Sequence, residues 1–212
     1  MFDTYIFDLD GTLLDTLEDL TDAVNYVLEK NGLPMRTKEE VRSFIGNGIQ
    51  KLMERAIGTG NVDLRQAVAC FKEYYLSHSA VKTKPYEGII ELLQELKRQG
   101  KKTAIVSNKV DDATKKLSKI YFADLIDVAY GANEEGGFRR KPATDCVELA
   151  IEKLNAKNTS IVYIGDSELD IQTAINAGMP SISVLWGFKD EDFLKANGGT
   201  NFVKAPKEIL NF

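Results

Sequence analysis

Cysteine is almost absent from this 212-residue chain: Cys70 and Cys146 are the only two. They form no CxxC pair, and nothing else points to secretion, so both read as reduced, core-type thiols of a cytoplasmic protein. An excess of basic residues is also missing, since 27 Lys and Arg face 32 Asp and Glu for a formal charge of −5. Binding along a nucleic-acid backbone leans on such an excess, which argues against a nucleic-acid partner but leaves room for a small anion in a local basic site. No apolar run approaches membrane-spanning length, and no basic stretch followed by an apolar segment opens the chain. A soluble protein with no membrane partner is the expectation. Internal repeats and low-complexity tracts are lacking too. His78 is the only histidine, and a lone histidine is more often a hydrogen-bonded structural residue. What the chain does have is 43% hydrophobic and 28% charged residues, enough for one large domain or a core with a smaller insertion.

The order of elements is informative. Met1 to Ile6 reads as a short buried strand. Asp15-Thr16 then offers capping side chains ahead of an amphipathic run through Leu17, Leu20, Val24, Val27 and Leu28. Thr37-Lys38-Glu39-Glu40 looks like a second N-cap with an acidic first turn, and that helix breaks at Gly46-Asn47-Gly48. Two further helices follow, so residues 16–79 hold helices and no convincing strand. After a polar connector from Ser79 to Pro85, strands alternate with helices. Strands are predicted over Thr103–Val106, Ile126–Tyr130, Ile161–Ile164 and Ser181–Val184. Helices are predicted over Gly88–Gln99, Asp112–Lys119, Asp145–Leu154 and Ile171–Ala177, with two weak ones near the C-terminus. This alternation implies an α/β fold: a doubly wound parallel, Rossmann-like sheet with right-handed crossovers, formed by residues 1–15 and 80–212, with an inserted α-helical cap domain over 16–79.

The polar residues gather at strand ends. Asp8 and Asp10 follow the first strand, Ser107-Asn108 the second and Asp166 with Asp170 the fourth, while Lys141 comes a loop after the third. In a parallel sheet these C-terminal ends share one edge, where ligands bind. If the strand continues through Leu9, the Asp8 and Asp10 carboxylates point the same way, and two close like charges need a cation, a shared proton or both. Oxygen ligands from Asp8, Asp10 and Asp166 match a hard cation such as Mg²⁺. Ser107 and Thr12 can donate to phosphoryl oxygens, and Lys141 supplies positive charge to an anionic transition state. The set suits a phosphate monoester.

Four motifs, Asp8-Leu9-Asp10-Gly11-Thr12, Ser107-Asn108, Arg140-Lys141-Pro142 and Gly165-Asp166-Ser167-Glu168-Leu169-Asp170, resemble those of the haloacid dehalogenase superfamily, in its capped phosphatase branch. The resemblance spans nearly the whole chain and most closely follows phosphoglycolate phosphatases. It implies that Asp8 is a nucleophile forming an aspartyl-phosphate. Asp10 would be the general acid and then the general base, ligating the metal by its backbone carbonyl. An ester leaving group needs a proton and a halide does not, so Asp10 argues against a dehalogenase. Asp166 would be the third protein ligand to the metal, and Asp170 an outer residue orienting Lys141 or a metal-bound water. Gly11, Thr12 and Asn108 would line the phosphate site. Arg139 and Arg140 receive no role.

The cap would hinge over the sheet edge, excluding water when closed and releasing product when open. Its Gly46-Asn47-Gly48 turn, at a helix start, is the candidate specificity loop, because free N–H groups suit a carboxylate or a second phosphate. Leu20 stands where the β-phosphoglucomutases carry histidine, which disfavours a mutase. A phosphomutase, an inorganic pyrophosphatase and a non-catalytic binding homologue remain the alternatives. A response-regulator receiver is excluded by the order of its lysine and by the insertion. The expected partner is a small phosphorylated metabolite, and the expected assembly a monomer or weak homodimer.

Overall fold

A computed structural model describes residues 1–212. The chain divides into two compact units, Met1–Leu14 with Pro85–Phe212, and Asp15–Lys84. The first begins with β1 (Thr4–Phe7). The chain crosses between units at two short strands, β2 (Leu14–Asp15) and β3 (Lys84–Pro85). The remaining strands are β4 (Lys102–Val110), β5 (Val128–Ala132), β6 (Ile161–Gly165), β7 (Ser181–Val184) and β8 (Phe202–Val203). They form with β1 a six-stranded sheet in the order β5-β4-β1-β6-β7-β8. Every neighbouring pair is parallel. Central β1 is buried along its length, as expected of a strand covered on both faces.

The helical unit holds α1 (Leu17–Lys30), α2 (Lys38–Phe44), α3 (Gly48–Ile57) and α4 (Leu64–His78). Its α1 buries Leu17, Leu20, Val24, Val27 and Leu28, the stripe that the periodicity predicts. Thr37 and Glu40 cap α2 reciprocally: the Thr37 hydroxyl accepts from Glu40 N–H at 3.2 Å, and Glu40 accepts from Thr37 N–H at 2.8 Å. Of the two capping side chains expected before α1, Asp15 supplies the bond and Thr16 does not: Asp15 Oδ1 accepts from Leu17 N–H at 3.3 Å. Buried Asp19 accepts N–H bonds from Val81, Lys82 and Thr83 at 2.9–3.1 Å, fixing the connector that leads out of the unit. His78 stacks on Tyr74 at 4.0 Å, and its Nδ1 lies 2.8 Å from the Tyr74 carbonyl.

In the sheet unit the helices are α5 (Ile89–Arg98), α6 (Asp111–Tyr121), α7 (Asp145–Lys153), α8 (Glu168–Asn176) and α9 (Glu191–Ala196). Residues 206–211 form a 3₁₀ turn in place of the second weak terminal helix. One core cluster joins Ile6, Ala104, Val106 and Tyr163 of the strands to Val147 and Ala150 of α7 and Ala174 of α8. Each fully buried large aliphatic side chain contributes roughly 1.5–3 kcal/mol.

Several elements depart from the periodicity, three of them for a plain local reason, and β4 runs four residues past its predicted end at Val106. Strand β5 lies two residues later than predicted and takes in Gly131, whose missing side chain lets Asp111 and the Lys109 carbonyl approach. Helix α8 begins three residues early, because Ser167 and Asp170 form a capping box. The two-residue β8 is too short to show a period, and only its pairing with β7 at Ser183 and Val184 defines it.

Candidate active site

The parallel register sets the site. Phe7 is level with Ile105 of β4 and with Ile164 of β6. Asp8 therefore emerges beside Val106 and Gly165, and Ser107 and Asp166 follow one step further along their strands. Strand ends from three neighbours thus place residues about 160 positions apart on one rim.

Asp8, Asp166 and Asp170 are buried, and one carboxylate oxygen from each lies within 4.8 Å of the others. Lys141 stands between two of them, its Nζ 2.7 Å from Asp170 Oδ1 and 2.9 Å from Asp8 Oδ1. The first contact is a well-aligned hydrogen bond. The second is an ion pair without hydrogen-bond alignment, so Asp8 Oδ1 accepts no hydrogen bond despite its burial. Burial, with Asp170 and Asp10 adding repulsion, pushes the Asp8 carboxyl up to about 6 against the pull of Lys141. Burial beside Asp170 and Asp8 likewise holds the Asp166 carboxyl well above the ordinary carboxylate range. Burial alone would lower the Lys141 ammonium, but the Asp170 and Asp8 charges outweigh it and raise it well above its usual value.

This set fits a divalent cation. Three buried carboxylates lie together while one ammonium pairs with two of them, Asp8 Oδ1 has no aligned donor, and all the candidate ligand atoms are hard oxygens. The remaining lone pairs of Asp166 are already fixed: Oδ2 accepts from Phe188 N–H at 2.7 Å, and Oδ1 from the Thr12 hydroxyl at 3.2 Å. A Cβ added at Gly11 or at Gly187 would run into the Asp166 carboxylate, so two bare backbones cradle it. Asp170 Oδ2 accepts from Ser167 Oγ at 2.6 Å and from the N–H groups of Ser167 and Asp166 at 3.0 and 3.2 Å.

The structure places the remaining sequence candidates as follows. The expectation that Asp8 and Asp10 share a face is corrected. Strand β1 stops at Phe7, and the Leu9 carbonyl accepts from Thr12, Leu13 and Leu14 N–H in a tight turn through Gly11 at φ +86°. The Asp10 carboxylate turns to Lys109 instead, whose Nζ lies 2.9 and 3.1 Å from its two oxygens. Its carboxylate is therefore outside the cluster of three. The hydroxyl of Thr12 is engaged by Asp166 and holds that carboxylate, where a free phosphate donor was expected. Ser107 is buried, and its hydroxyl accepts from Lys109 N–H at 3.3 Å. Asn108 clamps the Lys141 backbone from both sides, accepting its N–H at 2.7 Å and donating to its carbonyl at 3.2 Å. Gly46, Asn47 and Gly48 belong to the helical unit, at the start of α3, where Asn47 makes no side-chain capping bond. Arg139 pairs with Asp145 and Arg140 with Glu134.

The sequence reading missed four contributors, Lys109, Trp186, Phe188 and Tyr163. Lys109 directly follows the Ser107-Asn108 motif. Trp186 donates to the Thr12 carbonyl at 3.0 Å and sits in the loop after β7, so the strand-end rule would have reached both Trp186 and Phe188. Tyr163 donates from β6 to the Val106 carbonyl of β4 at 2.8 Å and carries the Lys141 ammonium 5.7 Å from its ring.

The sequence matches the family described as haloacid dehalogenase-like hydrolase over residues 5–184. A phosphoglycolate phosphatase of Aquifex aeolicus is 32% identical over 184 residues, covering 86% of this chain and 84% of the relative. One from Xanthomonas campestris pv. campestris is 32% identical over 215 residues, covering 96% and 93%. A crystal structure from Lactobacillus delbrueckii subsp. bulgaricus, provisionally described as a phosphoglycolate phosphatase, superposes with a TM-score of 0.91 at 35% identity, covering 98% of this chain and 96% of that one. With its parallel-sheet core, helical cap domain and buried aspartate cluster, the chain belongs to the haloacid dehalogenase-like hydrolase family, as an enzyme similar to the phosphoglycolate phosphatases.

Proposed function

We propose that this protein is a Mg²⁺-dependent phosphatase of small phosphate monoesters, 2-phosphoglycolate among them, acting through an aspartyl-phosphate on Asp8. The observation that carries the reading is the buried group of Asp8, Asp166 and Asp170 around the Lys141 ammonium. Asp8, Asp166 and the main-chain carbonyl of Asp10 would hold the cation, with Asp170 orienting Lys141. When bound, Mg²⁺ supplies charge neutralisation and in-line alignment of the phosphoryl group.

The residues of the chain would then act in sequence. An Asp8 carboxylate oxygen attacks phosphorus, the bond from phosphorus to the ester oxygen breaks, and that oxygen takes a proton from Asp10. Water, giving its proton to Asp10, attacks the phosphorus of the aspartyl-phosphate, which releases inorganic phosphate and restores Asp8. Ser107 and the neighbouring main-chain N–H groups would steady the phosphoryl oxygens, and Lys141 their charge. Gly46, Asn47 and Gly48 of the cap would read the rest of the ester.

Phosphate release should be measured across glycolate, sugar and nucleotide monoesters and pyrophosphate, with and without Mg²⁺. Turnover of monoesters that depends on Mg²⁺ and vanishes in Asp8→Asn, with an unchanged circular dichroism spectrum, is the expected result. Full activity in that variant, or isomerised sugar phosphate in place of free phosphate, would overturn the reading.

A further inference from the structure

We infer that Lys109 is a positioning residue, holding the Asp10 carboxylate where a proton must be handed to the leaving oxygen and later taken from water. The inference rests on the proposed phosphatase reading and concerns a residue that reading does not use. Lys109 Nζ meets both Asp10 oxygens, at 2.9 and 3.1 Å, with only 5% of its side chain exposed. The two buried lysines divide the acidic residues between them: Lys141 takes Asp8 and Asp170, and Lys109 takes Asp10.

The backbone that delivers Lys109 is built for the purpose. Val106 of β4 faces Tyr130 and Val110 faces Ala132, so four steps on β4 oppose two on β5. The three residues between, Ser107, Asn108 and Lys109, stand against Gly131 alone and form an irregularity that re-aims their side chains, as bulges beside active sites do. Around it Ser107 Oγ accepts the Lys109 N–H, and Thr114 Oγ1 lies 3.4 Å from the Lys109 carbonyl.

Stability alone does not account for the pair. A buried ion pair is often no better than apolar side chains of the same volume, because both charges lose their hydration. Position does account for it. An aspartate carboxylate turns about two bonds, and misplacing a reacting group by about 1 Å can cost ~10²-fold in rate.

The test compares a primary alkyl phosphate, whose leaving oxygen needs a proton, with p-nitrophenyl phosphate, whose leaving group does not. In Lys109→Met, alkyl ester turnover should fall ~10²-fold at unchanged KM, while p-nitrophenyl phosphate still gives a stoichiometric burst within ~5-fold of the wild-type rate, then a slow steady state. Asp10→Asn should show the same pattern, and the double variant should lose no more than ~2-fold beyond it. Should Lys109→Met fail to melt cooperatively, Lys109→Gln takes its place under the same criteria. A p-nitrophenyl phosphate burst rate that falls as far as alkyl ester turnover, or losses that multiply in the double variant, overturn the inference alone. Wild-type protein that turns over neither ester overturns the phosphatase reading, and this inference with it.

Discussion

The strongest consequence of the site's electrostatics is that metal-free protein should gain stability when its nucleophile candidate is neutralised. Asp8 is held at about 6 against an ordinary 3.8, chiefly by burial. Between those two pH values the folded protein binds more protons than the unfolded chain, so its stability falls as pH rises, the reverse of the usual aspartate behaviour. The difference amounts to about 3 kcal/mol, present below pH 3.8 and lost by pH 6. Asp166, also raised, adds in the same direction. Asp8→Asn removes the charge while Lys141 keeps its 2.7 Å bond to Asp170, so the variant should be more stable than wild type at pH 8 by up to ~3 kcal/mol. Urea unfolding in EDTA, followed by circular dichroism from pH 4 to 8, reads this directly. The wild-type slope across pH 4–6 should shrink in the variant. Mg²⁺ at about 1,000 times its Kd should reverse the ranking, since a ligand at that level adds about 4.1 kcal/mol to whichever form binds it. A flat wild-type profile, with an Asp8→Asn variant no more stable in EDTA, would refute the reasoning.

Two other changes test the scaffold. Gly11→Ala places a methyl group against the Asp166 carboxylate at a φ of +86°, so stability should drop by more than ~1 kcal/mol and calorimetric affinity for Mg²⁺ should weaken. Asp19→Ala leaves the N–H groups of Val81, Lys82 and Thr83 without their acceptor. Hydrogen exchange at those three amides should accelerate, with a stability loss of roughly 1–3 kcal/mol.

The fold was readable because its signals are local. The stripe of α1, the Thr37–Glu40 box and the apolar strand at Ile161 each declare themselves within a few residues. Strand-end clustering then needed only the parallel topology to bring Asp8, Asp166 and Lys141 together. What periodicity could not show is where the chain leaves regular geometry. The turn after Phe7 sends Asp8 and Asp10 to different lysines, and the irregularity in β4 turns Lys109, which looks like a solvated strand-end residue, inward to Asp10. The Asp166 cradle was equally hidden. It is made of two glycines 176 positions apart and a main-chain N–H, none of which carries a side-chain signature.

The two-sided clasp of Asn108 on the Lys141 main chain has a consequence for how this protein could change over time or in the laboratory. It pins the ammonium-bearing residue to the central sheet from its own side, so the hairpin of residues 133–138 just upstream need not be rigid for the lysine to stay in place. That hairpin is therefore the natural location for insertions, deletions or grafted sequence. Such edits could be made within a few residues of the reacting centre without shifting its charge.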